Sequence, residues 1–385
     1  LLSVLADERK LTWDQKVTDL YPSFRLGSDE VTQSVLVRHL VCACTGLPRK
    51  DYQFILADPN RNAPASDTFA ELAKTQPTSG FGELFQYNNL MASAAGYIGG
   101  ALVYPKMELG AAYDRAMEEK IFKPLGMTPV DQDRANGKGY PQGTHRFALG
   151  PVRAAQPAAD GWLWAAGELA MSASDLAKWD IARIDRKILT PEDWAEQEKM
   201  VLLADGSPSR YGLGVSIGTR GIDKTVSHGG EAVGFLSTDF VIPAKRYAVV
   251  ALVNADLGGA HDGIAEAITD LLEPVAAQTA GTLDRTRDRL ARRVYDQLRA
   301  GTLDRSLLTE NAAYYFTPEA TGDYRDSLSP LGNPDSFTPL GKPRLRGGFV
   351  NRNYAIQHQG RRLIAITYAE PGAEGRFEQF IVQPR

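Results

Sequence analysis

The sequence has 385 residues, with 43 lysines and arginines against 47 aspartates and glutamates, and a formal net charge of −4. This length predicts about two domains of ordinary size. Charges of both signs are spread along the chain, so the composition gives no field that would attract nucleic acid or an anionic membrane. The longest uncharged stretch, 85–105, contains polar residues and glycines, which indicates a buried helix rather than a transmembrane segment.

The first five residues, Leu-Leu-Ser-Val-Leu, are typical of the last turns of an apolar helix. No positively charged segment followed by an apolar stretch opens the chain, so no targeting peptide is predicted. We therefore expect this sequence to begin inside a helix.

Helical periodicity and capping residues predict several helices in the first half of the chain. These include helices over 35–41, 89–104 and 109–122. A further helix is predicted to begin after Ser172, because its hydroxyl can accept the backbone amide of Asp175 in a capping box.

From residue 211 the pattern changes to short alternating runs separated by glycine, proline and aspartate. Strands are predicted over 211–217, 225–228, 235–242 and 247–254. A helix over 263–272 would cover the apolar face of this antiparallel sheet. The first domain is therefore predicted to be α+β.

The last third of the chain is predicted to be a separate small α+β domain. Residues 276–282 are small and polar, as in a linker, and an amphipathic helix over 283–300 follows. Strands are predicted over 312–316, 349–358, 363–368 and 377–382. This order of helix and sheet resembles the SnoaL-like cone fold. The predicted domains are thus 1–277 and 278–385.

Cys42 and Cys44 are the two cysteines of the chain. Their spacing suits neither a disulfide framework nor the paired ligands of a zinc site. We expect both to be plain packing thiols.

Three short segments carry most of the chemical information. Tyr87-Asn88-Asn89 precedes a helix, Ile-Phe-Lys-Pro-Leu-Gly-Met follows one at 121–127, and His228-Gly229-Gly230 is predicted to end a strand. With the Cys-Thr-Gly-Leu-Pro stretch at 44–48, the order and spacing of these segments resemble the serine β-lactamase and penicillin-binding-protein superfamily. The resemblance spans residues 1–272 and is nearest to class C-related hydrolases, esterases and D-aminopeptidases.

The resemblance implies acyl transfer through a nucleophilic serine, a lysine base and a tyrosine proton relay. Tyr87 matches the relay, and Asn89 would orient the lysine or the substrate carbonyl. The alternative from the residues alone is that Tyr87 and Asn89 only pack and begin a helix. Position 88 is asparagine where the family generally has serine or alanine.

His228 matches the position where β-lactamases usually carry a lysine and many esterases and D-aminopeptidases carry histidine. A neutral histidine is expected to donate a hydrogen bond to the substrate, whereas lysine suits a carboxylate. Gly229 and Gly230 would let the substrate lie against the strand, and the backbone amide of Glu231 would serve the oxyanion.

The family nucleophile lies in a Ser-x-x-Lys motif, and this motif does not occur in the sequence. Since the first residues resemble the end of the helix that normally carries it, we expect the motif about two to three turns upstream. We therefore expect the N-terminal segment that carries the motif to be missing from this chain, rather than the motif to be substituted.

The leading functional prediction is a serine hydrolase of small esters, amides or D-amino-acid peptides that needs no metal or cofactor. One alternative is a penicillin-binding carboxypeptidase or weak β-lactamase. Another is a catalytically dead binding or scaffold protein of the same fold. The family implies a periplasmic or secreted location and a small-molecule substrate, and the oligomeric state is left open.

Overall fold

The computed structural model divides the chain into two compact units, Leu1–Val275 and Ala276–Arg385. The structure describes residues 1–50, 63–130, 137–147, 150–153, 164–167, 169–220, 222–232, 234–256, 260–272, 282–346 and 349–384. The division lies two residues before the predicted boundary at 277/278. The predicted linker, apart from Thr282, lies outside the described residues.

The first unit contains a helical part arranged around one long helix. Its helices are α1 (Leu2–Asp7), α2 (Val17–Leu20), α3 (Asp29–Ser34), α4 (Ser66–Leu72), α5 (Asn89–Val103), α6 (Leu109–Met117), α7 (Lys123–Leu125), α8 (Trp164–Gly167), α9 (Ala173–Ile184), α10 (Pro191–Gln197) and α11 (Ala260–Leu272). α5 contacts α1, α4, α6 and α8. In the described part of the chain, no helix is both long and apolar enough to cross a membrane.

Small residues in α5 allow α6 to approach closely. A Cβ atom on Gly100 would lie 2.5 Å from the backbone nitrogen of Tyr113 in α6, so only glycine fits at this contact. Buried side chains such as Leu5, Leu40 and Leu90 fill the core around the helix.

The predicted helix over 89–104 and the capping box at Ser172 are confirmed, with Asp175 N 3.1 Å from the Ser172 hydroxyl. The prediction over 35–41 is wrong for its first residues. Val35 is extended and fully buried, and only Val37–Leu40 forms a single 3₁₀ turn. The helix predicted over 109–122 ends as α-helix at Met117 and continues as a π-helical turn.

The sheet of the first unit is an antiparallel meander, as predicted. The strands of this unit are β1 (Thr144–Phe147), β2 (Gly150–Arg153), β3 (Ser216–Arg220), β4 (Asp223–Ala232), β5 (Phe235–Ile242), β6 (Tyr247–Val253) and β7 (Ala255–Asp256). The main sheet has the order β3-β4-β5-β6, and β2-β1-β7 form a smaller one. Both α9 and α11 contact β5 and β6, which covers the sheet with helices.

Two strand predictions need correction. The strand predicted over 211–217 begins only at Ser216, because the chain turns at Gly214, where φ is +80°. The strand that carries His228 does not end there and continues to Ala232. His228 therefore lies within a paired strand, and Tyr211 lies in the segment that leads into the neighbouring one.

The second unit packs three helices with a four-stranded antiparallel sheet. Its elements are α12 (Thr282–Ala300), α13 (Glu310–Tyr315), α14 (Pro318–Leu328), β8 (Ser336–Arg346), β9 (Phe349–His358), β10 (Arg361–Ala369) and β11 (Phe377–Pro384). The strand order is β11-β10-β9-β8. Val294 and Leu298 of α12 share a buried core with Tyr354 and Phe380 of the sheet. The SnoaL-like resemblance stays a prediction.

The strand predicted over 312–316 is wrong, because residues 312–315 belong to α13 and Phe316 is its C-cap. The Thr309 hydroxyl accepts the backbone N–H of Ala312 at 3.2 Å and caps the helix. The cap gives the Ala312 N–H a partner at the start of the helix. The alternation of apolar and polar residues, from which the strand was predicted, contains no information about this hydrogen bond.

The cysteine prediction is also wrong. Cys42 and Cys44 form a disulfide, with Cα atoms 5.2 Å apart. Ala43 between them has a φ of +54°, a left-handed conformation that brings two residues so near in sequence within bonding distance. Both cysteines are buried.

Candidate active site

The turn before α5 holds Tyr87 in place through its neighbour Asn88. Oδ1 of Asn88 accepts the backbone N–H of Met91 at 3.0 Å, and its Nδ2 donates to the Pro48 carbonyl oxygen at 3.1 Å. Asn88 is therefore the N-cap of α5 and ties the start of the helix to Pro48. Both ends of the amide are used, which gives a structural reason for asparagine at this position.

Tyr87 and His228 face the same cavity, which has a volume of about 300 Å³. Their ring centroids are 6.0 Å apart. The ring of Tyr211 completes a triangle, 6.0 Å from His228 and 6.3 Å from Tyr87. Ser3 and Gln197 contribute polar atoms to the described wall. The structure thus brings together two residues that lie far apart in the sequence.

The other predicted site residues, Asn89, Gly229, Gly230 and Glu231, are not among the described residues that line the cavity. Asn89 is half-buried at the first position of α5. Asn88, and not Asn89, is among the described residues that line the cavity. Gly229, Gly230 and Glu231 are exposed and pair with β5. A Cβ atom on Gly230 would lie 2.4 Å from Ser237 Oγ, so a larger residue there would require the Ser237 side chain to move.

Both ring nitrogens of His228 have partners. Nε2 lies 2.9 Å from the Tyr211 hydroxyl oxygen, and Nδ1 lies 2.7 Å from the Gly229 carbonyl oxygen. A neutral imidazole has a single N–H, and a carbonyl oxygen can only accept it. The expected hydrogen bond from neutral His228 to a substrate is therefore not available in this arrangement.

Tyr211 is a site residue that the sequence analysis missed, since it assigned this position to a strand. Its ring also contacts Phe85, with centroids 5.4 Å apart. Burial raises the pKa of the Tyr211 phenol well above its usual range, so the group stays a neutral hydroxyl. The sequence feature that could have identified Tyr211 as a site residue is its place directly before a turn formed by Gly212 and Gly214.

A cation lies over the ring of Tyr87. The guanidinium carbon of Arg49 is 5.3 Å from the ring centroid. A nearby positive charge stabilises a phenolate relative to the phenol, which a proton relay requires. Arg49 follows Pro48, whose carbonyl oxygen accepts the hydrogen bond from Asn88.

Two neighbouring carboxyl groups, Asp239 and Asp180, contact the backbone of His228 through Asp239. Oδ1 of Asp239 in β5 accepts the His228 backbone N–H at 2.7 Å. Asp180 in α9 is fully buried, and burial together with the charge of Asp239 raises its pKa to about 8. Burial also raises the pKa of Asp239, so the pair retains a proton at neutral pH. Over the described ranges, no group of three or more histidine, cysteine, aspartate or glutamate side chains could hold a metal ion.

A buried ion-pair network anchors the start of β4 to the helical part. Glu198 accepts hydrogen bonds from Lys224 in β4 at 2.6 Å, from Arg183 in α9 at 3.1 Å and from Arg186 at 2.9 Å. Burial alone would raise the pKa of Glu198, but the hydrogen bonds from Arg186 and Lys224 lower it. Glu198 therefore stays ionised and holds β4, which carries His228, in position.

The disulfide segment borders the cavity. Ala43 lines the wall, and its carbonyl oxygen accepts the backbone N–H of Gln86 at 2.8 Å. The carbonyl oxygen of Cys44 accepts the backbone N–H of Gly82 at 2.7 Å. The segment thus positions the stretch of chain that leads into Tyr87.

A family model described as Beta-lactamase matches residues 1–273. The octameric penicillin-binding protein homologue from Pyrococcus abyssi is 19% identical, with 99% of this chain and 84% of that chain covered and a TM-score of 0.60. The D-stereospecific amidohydrolase from Streptomyces sp. is 20% identical over 71% of this chain and 83% of that chain, with a TM-score of 0.59. The D-amino acid amidase from Ochrobactrum anthropi SV3 is 18% identical over 71% and 78%, with a TM-score of 0.55. No curated protein matches the sequence.

Proposed function

Because the chain belongs to the beta-lactamase family, we propose that it is a serine hydrolase that acts through an acyl-enzyme on small esters, amides or D-amino-acid peptides. The observation that carries the proposal is the common cavity of Tyr87 and His228. Tyr87 is the proposed proton relay, and the guanidinium of Arg49 over its ring supports this role. The proposed chemistry uses no metal or cofactor.

In the proposed reaction, a serine oxygen attacks the substrate carbonyl and its proton passes through Tyr87 to the leaving group. The backbone amide of Glu231 is proposed to stabilise the oxyanion, and Asn89 to orient the reacting groups. Water then releases the acid and restores the serine. Since Ser-x-x-Lys does not occur in these 385 residues, the proposal requires the serine and the lysine from residues outside them.

Histidine in place of lysine supports an uncharged ester or amide rather than a β-lactam carboxylate as the substrate. The names of two structural relatives, a D-stereospecific amidohydrolase and a D-amino acid amidase, agree with this choice. The penicillin-binding homologue that aligns with 99% of the chain favours the carboxypeptidase alternative, which labelled penicillin would detect. A periplasmic or secreted location is supported by the Cys42–Cys44 disulfide, since such bonds persist in oxidising compartments.

The test uses the protein expressed from its full coding sequence and a p-nitrophenyl ester of a short acid. We expect a burst of p-nitrophenol and the mass of a trapped acyl-enzyme. Tyr87→Phe should lower turnover by about 10²–10⁴-fold with little change in melting temperature. The control is Tyr104→Phe, whose hydroxyl binds Glu119 away from the cavity. A full-length protein without a serine nucleophile, or an equal loss of stability and activity in Tyr87→Phe, would instead support the scaffold alternative or a packing role.

A further inference from the structure

The hydrogen bonds of His228 determine where its ring hydrogen lies. The Gly229 carbonyl oxygen, 2.7 Å from Nδ1, is an acceptor only, so Nδ1 carries the hydrogen. In the neutral ring Nε2 is then an acceptor. The Tyr211 hydroxyl, 2.9 Å from Nε2, must therefore be the donor of that bond.

Tyr211 is held firmly enough to impose this arrangement. Its carbonyl oxygen accepts the backbone N–H of Val201 at 2.8 Å, and its own N–H donates to the Ser209 hydroxyl at 3.1 Å. The side chain is buried, and the raised pKa of the phenol keeps the hydroxyl protonated over the whole neutral range. The donor to Nε2 is thus fixed in place and always present.

The strand of His228 is equally constrained. The His228 backbone N–H donates to Asp239 Oδ1, and the two residues face each other in the β4–β5 register. Because the backbone of His228 is fixed, its ring has few conformations to lose when it binds the Tyr211 hydroxyl. The entropic cost of this side-chain hydrogen bond is therefore small.

We propose that Tyr211 is a positioning residue that fixes the tautomer of His228, with the ring hydrogen on Nδ1 and the Nε2 lone pair occupied. The expected effect of Tyr211 on turnover rests on the function proposed above. The expected tautomer of His228 does not depend on that function. Tyr211 and His228 then form a neutral wall of the cavity without an N–H for a substrate carboxylate. The acyl group that lies against this wall is accordingly uncharged.

The second unit contains a matching pair that serves as an internal reference. The Tyr295 hydroxyl oxygen lies 2.7 Å from Nε2 of His358, and Nδ1 of His358 lies 3.0 Å from the Leu331 carbonyl oxygen. By the same reasoning, the neutral His358 carries its hydrogen on Nδ1. Tyr295→Phe should change the tautomer ratio of His358 and leave the tautomer ratio of His228 unchanged.

The experiment measures two-bond ¹H–¹⁵N correlations of the histidine rings at about pH 8.5, where imidazole is neutral. The unmodified protein should show His228 and His358 as Nδ1–H forms. Tyr211→Phe keeps the ring but removes the donor, so the ratio of Nδ1–H to Nε2–H in His228 should fall by about three- to tenfold. His358 should not respond to Tyr211→Phe.

An Nε2–H form of His228 in the unmodified protein would overturn the inference without any variant, as would a tautomer ratio unaffected by Tyr211→Phe. A second arm compares two aryl esters that differ by one carboxylate in the acyl group. The neutral ester should have the higher kcat/KM. Tyr211→Phe should reduce the ratio of kcat/KM between the neutral and the carboxylate-bearing ester. If neither ester is hydrolysed while His228 has the expected tautomer, the proposed function fails and the positioning role of Tyr211 stands.

Discussion

Replacing Asp180 with asparagine is expected to stabilise the protein at neutral pH and to weaken the dependence of its stability on pH. Asp180 is fully buried beside Asp239, and its pKa is raised from 3.8 to about 8. The charged or titratable groups that face the pair are Arg183, from the same helix as Asp180, and His228, whose backbone N–H Asp239 accepts.

The sign follows from the protons bound in each state. Between pH 4 and pH 8 the folded protein holds a proton on this pair that the unfolded chain has lost, so stability falls as pH rises. Each pH unit costs about 1.4 kcal/mol, and at pH 7 the accumulated cost is about 4 kcal/mol. Because Asp180 and Asp239 titrate together, this cost belongs to the pair. Asp180→Asn removes the titrating proton and keeps a donor next to Asp239.

The assay is urea denaturation at a series of pH values from 5 to 8.5. Below about pH 8, the slope of unfolding free energy against pH should be more negative in the unmodified protein than in Asp180→Asn by about 1.4 kcal/mol per unit. The control is Asp185→Asn at the end of the same helix, because ion pairs with Arg246 and Lys187 lower the pKa of Asp185 and its titration lies below this range. Identical slopes in the unmodified protein and Asp180→Asn would refute the shared buried proton.

Three further predictions concern stability. Glu198→Gln should lower the unfolding free energy by about 3–5 kcal/mol, because it leaves the buried Arg183 without its counter-charge; a loss below ~1 kcal/mol in urea would contradict this. Gly100→Ala should cost about 1–3 kcal/mol, because its Cβ would meet the backbone of Tyr113, whereas Gly263→Ala, with open space around it, should not. Residues 279–385 expressed alone should melt cooperatively, because α12 and the sheet share a buried core; absence of a cooperative transition would show that this core is insufficient.

Local sequence patterns were sufficient to predict the bounds of an element where one of its faces meets the core and the other meets solvent. The predicted strands 235–242 and 349–358 have the bounds of β5 and β9, and the Ser172 cap begins α9 as predicted. Local patterns failed where a competing interaction decided the conformation. The Thr309 cap begins a helix that includes residues 312–315, and the left-handed conformation of Ala43 allows a disulfide that the cysteine spacing did not suggest.

The motifs alone named Tyr87 and His228, because a phenol before a helix and a histidine before two glycines are informative residue types in that order. Tyr211, Arg49, Asp180 and Asp239 became visible only in the tertiary structure. Each acts through a contact with a residue distant in sequence, and no local pattern records such a pairing. The tautomer of His228 has the same origin, because it depends on which atoms the folded chain places within hydrogen-bonding distance of its two ring nitrogens.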